Sequence, residues 1–374
     1  MKSNYKAIGE LVERIDERNR DGSITTLIGV SIDKKFIPSV ANVVGTDLTN
    51  YKVIRKYDFA VSLMQVSRDE KIPVACQKEY DAAIMSPAYP IFRVKDTNII
   101  MPEYLEMWFM RSEFDREASF VAVGGVRGSM PWEEFAKLKL PVPNIEIQKE
   151  IVSSYRAIID RITLKKRIND NLEATVQAYF DNLFFKSNET DCTLADIAEV
   201  NPVRQLAKGK IARYFEMSTL PTKGCIPTGD FLKAYNGGVR FINGDTLIAR
   251  ITPCLENGKA AYINILDDGE VAFGSTEYIV FAPKGKVPSC FYYFLIRNSK
   301  FMTFALQFMN GSSGRQRVSG EELASFPLLL PSDTDLKAFE KVGSMALEQM
   351  KQYSEEISLL KQLQETITAT LSSR

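Results

Sequence analysis

The sequence predicts an α+β protein: two similar α/β domains alternating with two long helices that pair as an antiparallel coiled coil, with pseudo-twofold symmetry. Three observations predict it. A heptad seam runs from Glu146 to about Phe185, the same seam returns 188 residues later, and the landmarks between them recur at separations of 186–189. A repeat kept at that spacing across helices, turns and strands marks a tandem duplication.

The first seam places bulky or apolar residues at alternating steps of four and three: Ile151, Tyr155, Ile158, Ile162, then Lys165 and Asn169, then Leu172, Val176, Tyr179 and Leu183. A seven-residue period held this long is a coiled-coil pattern, and no proline or glycine interrupts it. At 1.5 Å per residue, roughly 38 residues span about 57 Å, more than a small domain is wide, so the helix needs a partner. Its counterpart is Phe339, Gly343, Ala346, Met350, Tyr353, Ile357, Leu360, Gln364, Ile367 and Leu371. The polar pair Lys165 and Asn169 either fixes the register of the pairing or, for Lys165, snorkels to solvent.

Taken in order, the first half opens with an expected helix from Ile8 to Arg18, its apolar residues on one face. Short β-rich segments follow at Thr25–Ile32, Tyr51–Ile54, Phe59–Met64, Val74–Cys76, Ala83–Met85 and Ile91–Val94, separated by turn residues. A helix from Pro102 to about Ala118 comes next, with proline at its entry. A glycine-rich turn around Arg127 then leads through Glu133-Glu134-Phe135 to a proline-punctuated strand before the long helix. The second half replays this plan. Strands are expected at Arg240–Thr252, with a turn at Gly244-Asp245, and at Ala260–Ile265; Ser275–Phe281 echoes Ser86–Phe92, a helix is expected from Pro288 to about Leu306, and a glycine turn at Gly314–Arg317. Arg315 answers Arg127, Arg297 answers Arg111, and Phe326–Pro331 answers the strand before the first long helix.

Composition removes several chemistries. There is no histidine, which excludes His general bases, Ser-His-Asp triads and His-ligated metals. Cys76, Cys192, Cys225, Cys254 and Cys290 are scattered, with neither metal-ligand spacing nor a disulfide framework. No apolar run approaches the length of a membrane span, and the charged N-terminal segment has no signal-peptide core, so a cytoplasmic protein without membrane contact is expected. Net charge is zero, yet residues 201–331 carry fifteen Lys/Arg against ten Asp/Glu, leaving room for a basic patch.

Two similar heads joined by a spacer suggest a ruler that reads two sites on a periodic target, and duplex DNA is such a target. The residues then become specific. The run Gly244-Asp245-Thr246-Leu247-Ile248-Ala249-Arg250, the Glu199-Val200-Asn201-Pro202 entry, Tyr278–Phe281 and the two Gly/Arg turns, each followed by a proline-rich strand and a long helix, resemble the specificity subunits of type I restriction–modification systems. The likeness covers essentially the whole chain and lies in the duplicated order of the motifs. It implies target recognition domains at 1–145 and 187–331 and conserved helical spacers at 146–186 and 332–374. It further implies a non-catalytic subunit that reads a bipartite, asymmetric duplex. Two modification subunits would bring S-adenosylmethionine and methylate adenine, and restriction subunits would bring ATP with Mg and translocate and cut DNA. The first head departs from the pattern: Asp58 aligns with Asp245, but Ser62 stands near the place of Arg250.

For DNA contact, arginine reads guanine and neutralises phosphate, so Arg315, Arg317 and Arg127 in the glycine turns are the leading candidates. Arg250 and Lys259 follow, Arg250 having a salt bridge as its alternative role. Ser275, Thr276 and Tyr278 could bond bases or phosphate, with the core as the other place for Tyr278, and Lys78 is a candidate in the first head. Ile159, Phe180, Phe184 and Phe185 lie outside the seam and either dock partners or pack on the heads. No Asn/Asp-Pro-Pro-aromatic loop and no phosphate-binding glycine loop is present, which argues against a stand-alone enzyme. An adaptor with two protein-binding heads on a coiled-coil rod is the alternative class.

Overall fold

A computed structural model describes residues 4–39, 45–64, 66–122, 128–312 and 314–371. The chain divides into two units, one formed by Met1–Arg161 with Leu360–Arg374 and the other by Ile162–Leu359. Each of the two long helices contributes to both.

The first unit is built on a four-stranded antiparallel sheet with the order Val12–Ile15, Ile91–Val94, Phe59–Val61, Val74–Cys76. The adjacent strands Phe59–Val61 and Val74–Cys76 are short and apolar on both faces, as strands buried on both sides must be. The expected helix from Ile8 to Arg18 is instead one turn, Ile8–Leu11, followed by the edge strand Val12–Ile15. Pairing of Val12 through Ile15 with Val94 through Ile91 outweighs a helical pattern only three turns long. The expected single helix at Pro102 is two, Pro102–Phe109 and Ser112–Val121, with Arg111 at the junction. Their inner faces complete an aromatic core in which Phe59 and Phe92 stack at 5.2 Å and Phe109, Phe114 and Phe135 meet edge-on or tilted. The start of the first long helix, through Ile151, Val152 and Tyr155, and Leu371 of the second close this core. There the Tyr155 hydroxyl accepts a 2.9 Å hydrogen bond from Gln364 Nε2.

The second unit repeats the sheet: Ala198–Val200, Tyr278–Pro283, Thr246–Ala249, Ala260–Tyr262, in the same order and all antiparallel. The one-turn helix Leu194–Ile197 precedes its edge strand just as Ile8–Leu11 does. A second sheet orders Phe231–Ala234, Ile211–Phe215, Ala272–Gly274 and Val239–Phe241. Here too the helix expected from Pro288 is two, Ser289–Arg297 and Ser299–Gln307, and Asn298 caps the second by accepting from Lys300 and Phe301. A buried aromatic cluster of Phe180, Phe184, Phe291, Phe294 and Phe339 joins both long helices to this unit. Phe180 is fully buried there, and Phe184 and Phe185 pack on the same core, while Ile159 of the first unit remains exposed.

The long helices span Ile145–Phe184 and Asp333–Thr370. Their pairing is antiparallel: Tyr155 meets Gln364 in the first unit, and in the second Asn169 meets Met350 and Tyr179 stacks on Phe339. The seam residues Ile151, Tyr155, Ile158, Ile162, Val176, Phe339, Ala346, Met350 and Ile357 are buried. Lys165 is partly buried and paired: it bonds Glu356 of the facing helix at 2.9 Å and lies 4.0 Å over the Tyr353 ring. Gly343 lets the second long helix lie close to the helix Ser289–Arg297, since a Cβ there would stand 3.0 Å from the Cys290 sulfur. No helix among the described residues is long and apolar enough to cross a membrane.

Candidate nucleic-acid interface

The sheet register of the second unit builds the site. Ala249 ends its strand opposite Tyr278, the first residue of the neighbouring strand, so the next step out sets Arg250 against Glu277. The Arg250 amide donates to the Glu277 carbonyl at 2.9 Å, and the Arg250 carbonyl accepts from the Val318 amide at 3.0 Å. That second bond brings in the glycine turn. Asn310 and Arg317 exchange backbone bonds at its neck, and Gln316 bonds Thr252 through both its amide and its carbonyl. Ser319 then caps the helix Gly320–Ala324 in a capping box with Glu322. The turn is therefore anchored on both sides, and Arg315 projects from it.

The side chains follow. Arg317 grips Glu277 in a fork: Nε donates to both carboxylate oxygens at 3.0 and 2.9 Å, and Nη2 to one of them at 2.8 Å. This bond, with the charges of Arg317 and Arg250, holds the Glu277 carboxyl below the usual glutamate range against the opposing cost of burial. Arg250 is half-buried and its Nε has no hydrogen-bond partner. Arg315 is exposed, and its guanidinium bonds no described residue. Arg317 and Arg250 thus act on one carboxylate, and Arg315 is exposed on the same anchored turn, which gives this surface more cationic donors than acidic groups to meet them.

The other predicted residues divide. Ser275 joins the site from below, its hydroxyl accepting from the Glu277 amide at 3.1 Å, and Thr276 is exposed beside it. Tyr278 belongs to the core: it is buried, and its hydroxyl donates to the Phe215 carbonyl at 3.1 Å. Gly274 makes room for that ring, since a Cβ would stand 2.4 Å from it. Lys259 sits where the loop returns to the sheet and donates to the Met217 carbonyl at 2.7 Å. In the first unit, Lys78 is paired with Glu106. Arg127 lies outside the described residues. The register there sets Leu63, not Ser62, in the place of Arg250, because the Leu63 carbonyl accepts from Met130 as Arg250 does from Val318.

Two residues of the motifs turn out to be supports. Asp245 is buried and accepts from the Ile242 amide, from the Arg204 guanidinium at 2.8 Å, and faces no solvent; burial pushes its carboxyl up. Asp58 plays the same part, accepting from the Arg55 amide and from Arg93 at 2.9 and 3.0 Å. Asn201, in the left-handed region at φ 54°, ties its own edge strand to Val280 through backbone and side chain. Glu277, Thr252 and Gln316 were not singled out from sequence. The signal for Glu277 was present: a strand ending at Arg250 beside one opening at Tyr278 places the two charges opposite each other.

The family model for the type I restriction modification DNA specificity domain matches residues 69–174 and 190–369. Among curated proteins, the chain is 29% identical over 198 residues to the type I restriction enzyme EcoEI specificity subunit of Escherichia coli, and 29% over 190 residues to the EcoAI specificity subunit of the same organism. Each match covers 48% of this chain and 32% of the relative, so it spans about a third of the relatives' length. The fold is that of the crystallised type I restriction–modification S subunit from M. genitalium, with a TM-score of 0.60 at 14% identity over 99% of this chain and 96% of that one. The two matched segments make up well over half of the residues, and the chain belongs to the type I restriction modification DNA specificity family.

Proposed function

We propose that this chain is the non-catalytic sequence-reading subunit of a cytoplasmic type I restriction–modification complex. Each head, residues 1–145 and 187–331, binds one half of a bipartite asymmetric duplex, and the spacers 146–186 and 332–374 carry the modification subunits. Methyl transfer to adenine from S-adenosylmethionine, and ATP-driven translocation and cutting with Mg, belong to those partners. The observation that carries the reading is the second head's anchored turn, on which Arg315 is exposed and Arg317 forks onto Glu277, with Arg250 bonded to its base. Such donors suit phosphate oxygens and the O6/N7 edge of guanine. The first head has Leu63 at the corresponding place, which supports unlike half-sites.

A salt titration tests it. The purified chain with its modification partner should bind duplex DNA with an affinity that falls steeply as salt rises, the logarithmic slope being roughly −0.9 per phosphate neutralised. An adaptor that touches only proteins would show no duplex affinity at any salt. Arg315→Glu should weaken selection at one half-site alone. Equal loss at both halves, or at neither, would remove Arg315 from the interface.

A further inference from the structure

We propose that Glu277 is a specificity-determining residue of the second head, a built-in competitor that withholds Arg317 from DNA lacking the right acceptors. This rests on the DNA-reading role proposed above.

The geometry sets up a competition. Arg317 presents a fork to the Glu277 carboxylate, the same bidentate geometry that arginine offers to a guanine edge or a phosphate. The pair lies at the surface, with side chains 42% and 26% exposed, so exchange of partners needs no opening of the core. The charge of Arg250 also acts on this carboxylate, and its buried Nε is without an acceptor. Glu277 cannot drift away when a duplex arrives. Its amide is held by Ser275 Oγ, its carbonyl by Arg250, and the next side chain, Tyr278, is locked into the core.

A duplex that draws Arg317 off Glu277 therefore brings phosphate charge close to a fixed carboxylate. Wrong sequences meet that repulsion without compensation. A matching one supplies acceptors for both arginines, or an exocyclic amine that donates to the carboxylate itself, as cytosine does. Specificity by a retained repulsive element lowers affinity for every sequence and lowers it least for the correct one.

The test compares two charge-removing changes in the full chain assembled with its modification partner, using a random-sequence duplex and selection from a randomised duplex pool. Glu277→Gln should bind the random duplex about five- to tenfold more tightly, with a salt slope steeper by roughly one phosphate, and should lose base preference in one half-site. Arg317→Gln should weaken binding to both probes. A pair that merely ties down the turn predicts loss of affinity in both variants, and that result overturns the proposal. So does Glu277→Gln binding the random duplex within twofold of the parent while selecting the same bases; the DNA-reading role would then stand without it. If the parent complex binds no duplex at all, both fall together. Circular dichroism of each variant, and retained selection at the other half-site, show that the fold is intact.

Discussion

Glu277 and Tyr278 are adjacent in sequence and opposite in task. One is forked by the Arg317 guanidinium at the surface, and the other fills the core behind it. Tyr278→Phe removes the bond to the Phe215 carbonyl and leaves that acceptor buried, so it should cost about 1 kcal/mol of stability in denaturant melts. Duplex affinity per folded molecule should not change. For Glu277 the sign of the pH effect follows from its lowered carboxyl. Stability from the Arg317 pair is present above the ordinary glutamate value of 4.5 and is lost as pH falls through the lower folded-state value. Melts of the parent and Glu277→Gln should therefore differ most above that range and converge in acid. A gap that widened as pH fell would contradict the pairing.

Among elements, the long helices were the most legible in sequence. Their seven-residue period persists for so many turns that no other structure accommodates it, and the buried seam residues are those the period selects. Lys165 shows where periodicity stops deciding: whether it snorkels or pairs depends on what the facing helix offers, and that helix offers Glu356 and the Tyr353 ring. Glu356→Ala should cost on the order of 1 kcal/mol in a thermal melt. Replacing Lys165 and Glu356 together by methionine should recover most of that loss, because neither charge is then left alone. The shorter elements were less legible. The segment Val12–Ile15 carries helix-like spacing over too few turns to outweigh pairing with Ile91–Val94, and the duplicate segment Ala198–Val200 shares the same fate. The break in the Pro288 helix had a visible sign in Asn298, a good cap residue, whereas Arg111 in the first head gives none. At the interface, composition and glycine turns marked Arg250, Arg315 and Arg317. They could not show that Glu277 meets Arg317 beside Arg250, because that follows from strand register.

For the whole molecule, the division of the second long helix between units makes the residues from Leu360 onward part of the first unit's core. A chain ending after Leu359 should lose Gln364, Ile367 and Leu371 from contact with the first unit while keeping Phe339, Ala346, Met350 and Ile357 in the second. Hydrogen exchange should then rise across residues 4–161 and hardly at all in the sheet built on Thr246–Ala249. A uniform rise would mean that the two units do not unfold separately. The buried aspartates extend this reasoning to how such chains can diversify. Asp58 is neutralised by Arg93 from the strand that follows it, but Asp245 by Arg204 from the segment that precedes it. Grafting the strand Tyr278–Pro283 into the first head would put Ala282 at the position of Arg93 and strand Asp58 in the interior without a counter-ion. New recognition can therefore be acquired by trading complete heads, while shuffling smaller pieces between them is penalised by a charge that has nowhere to go.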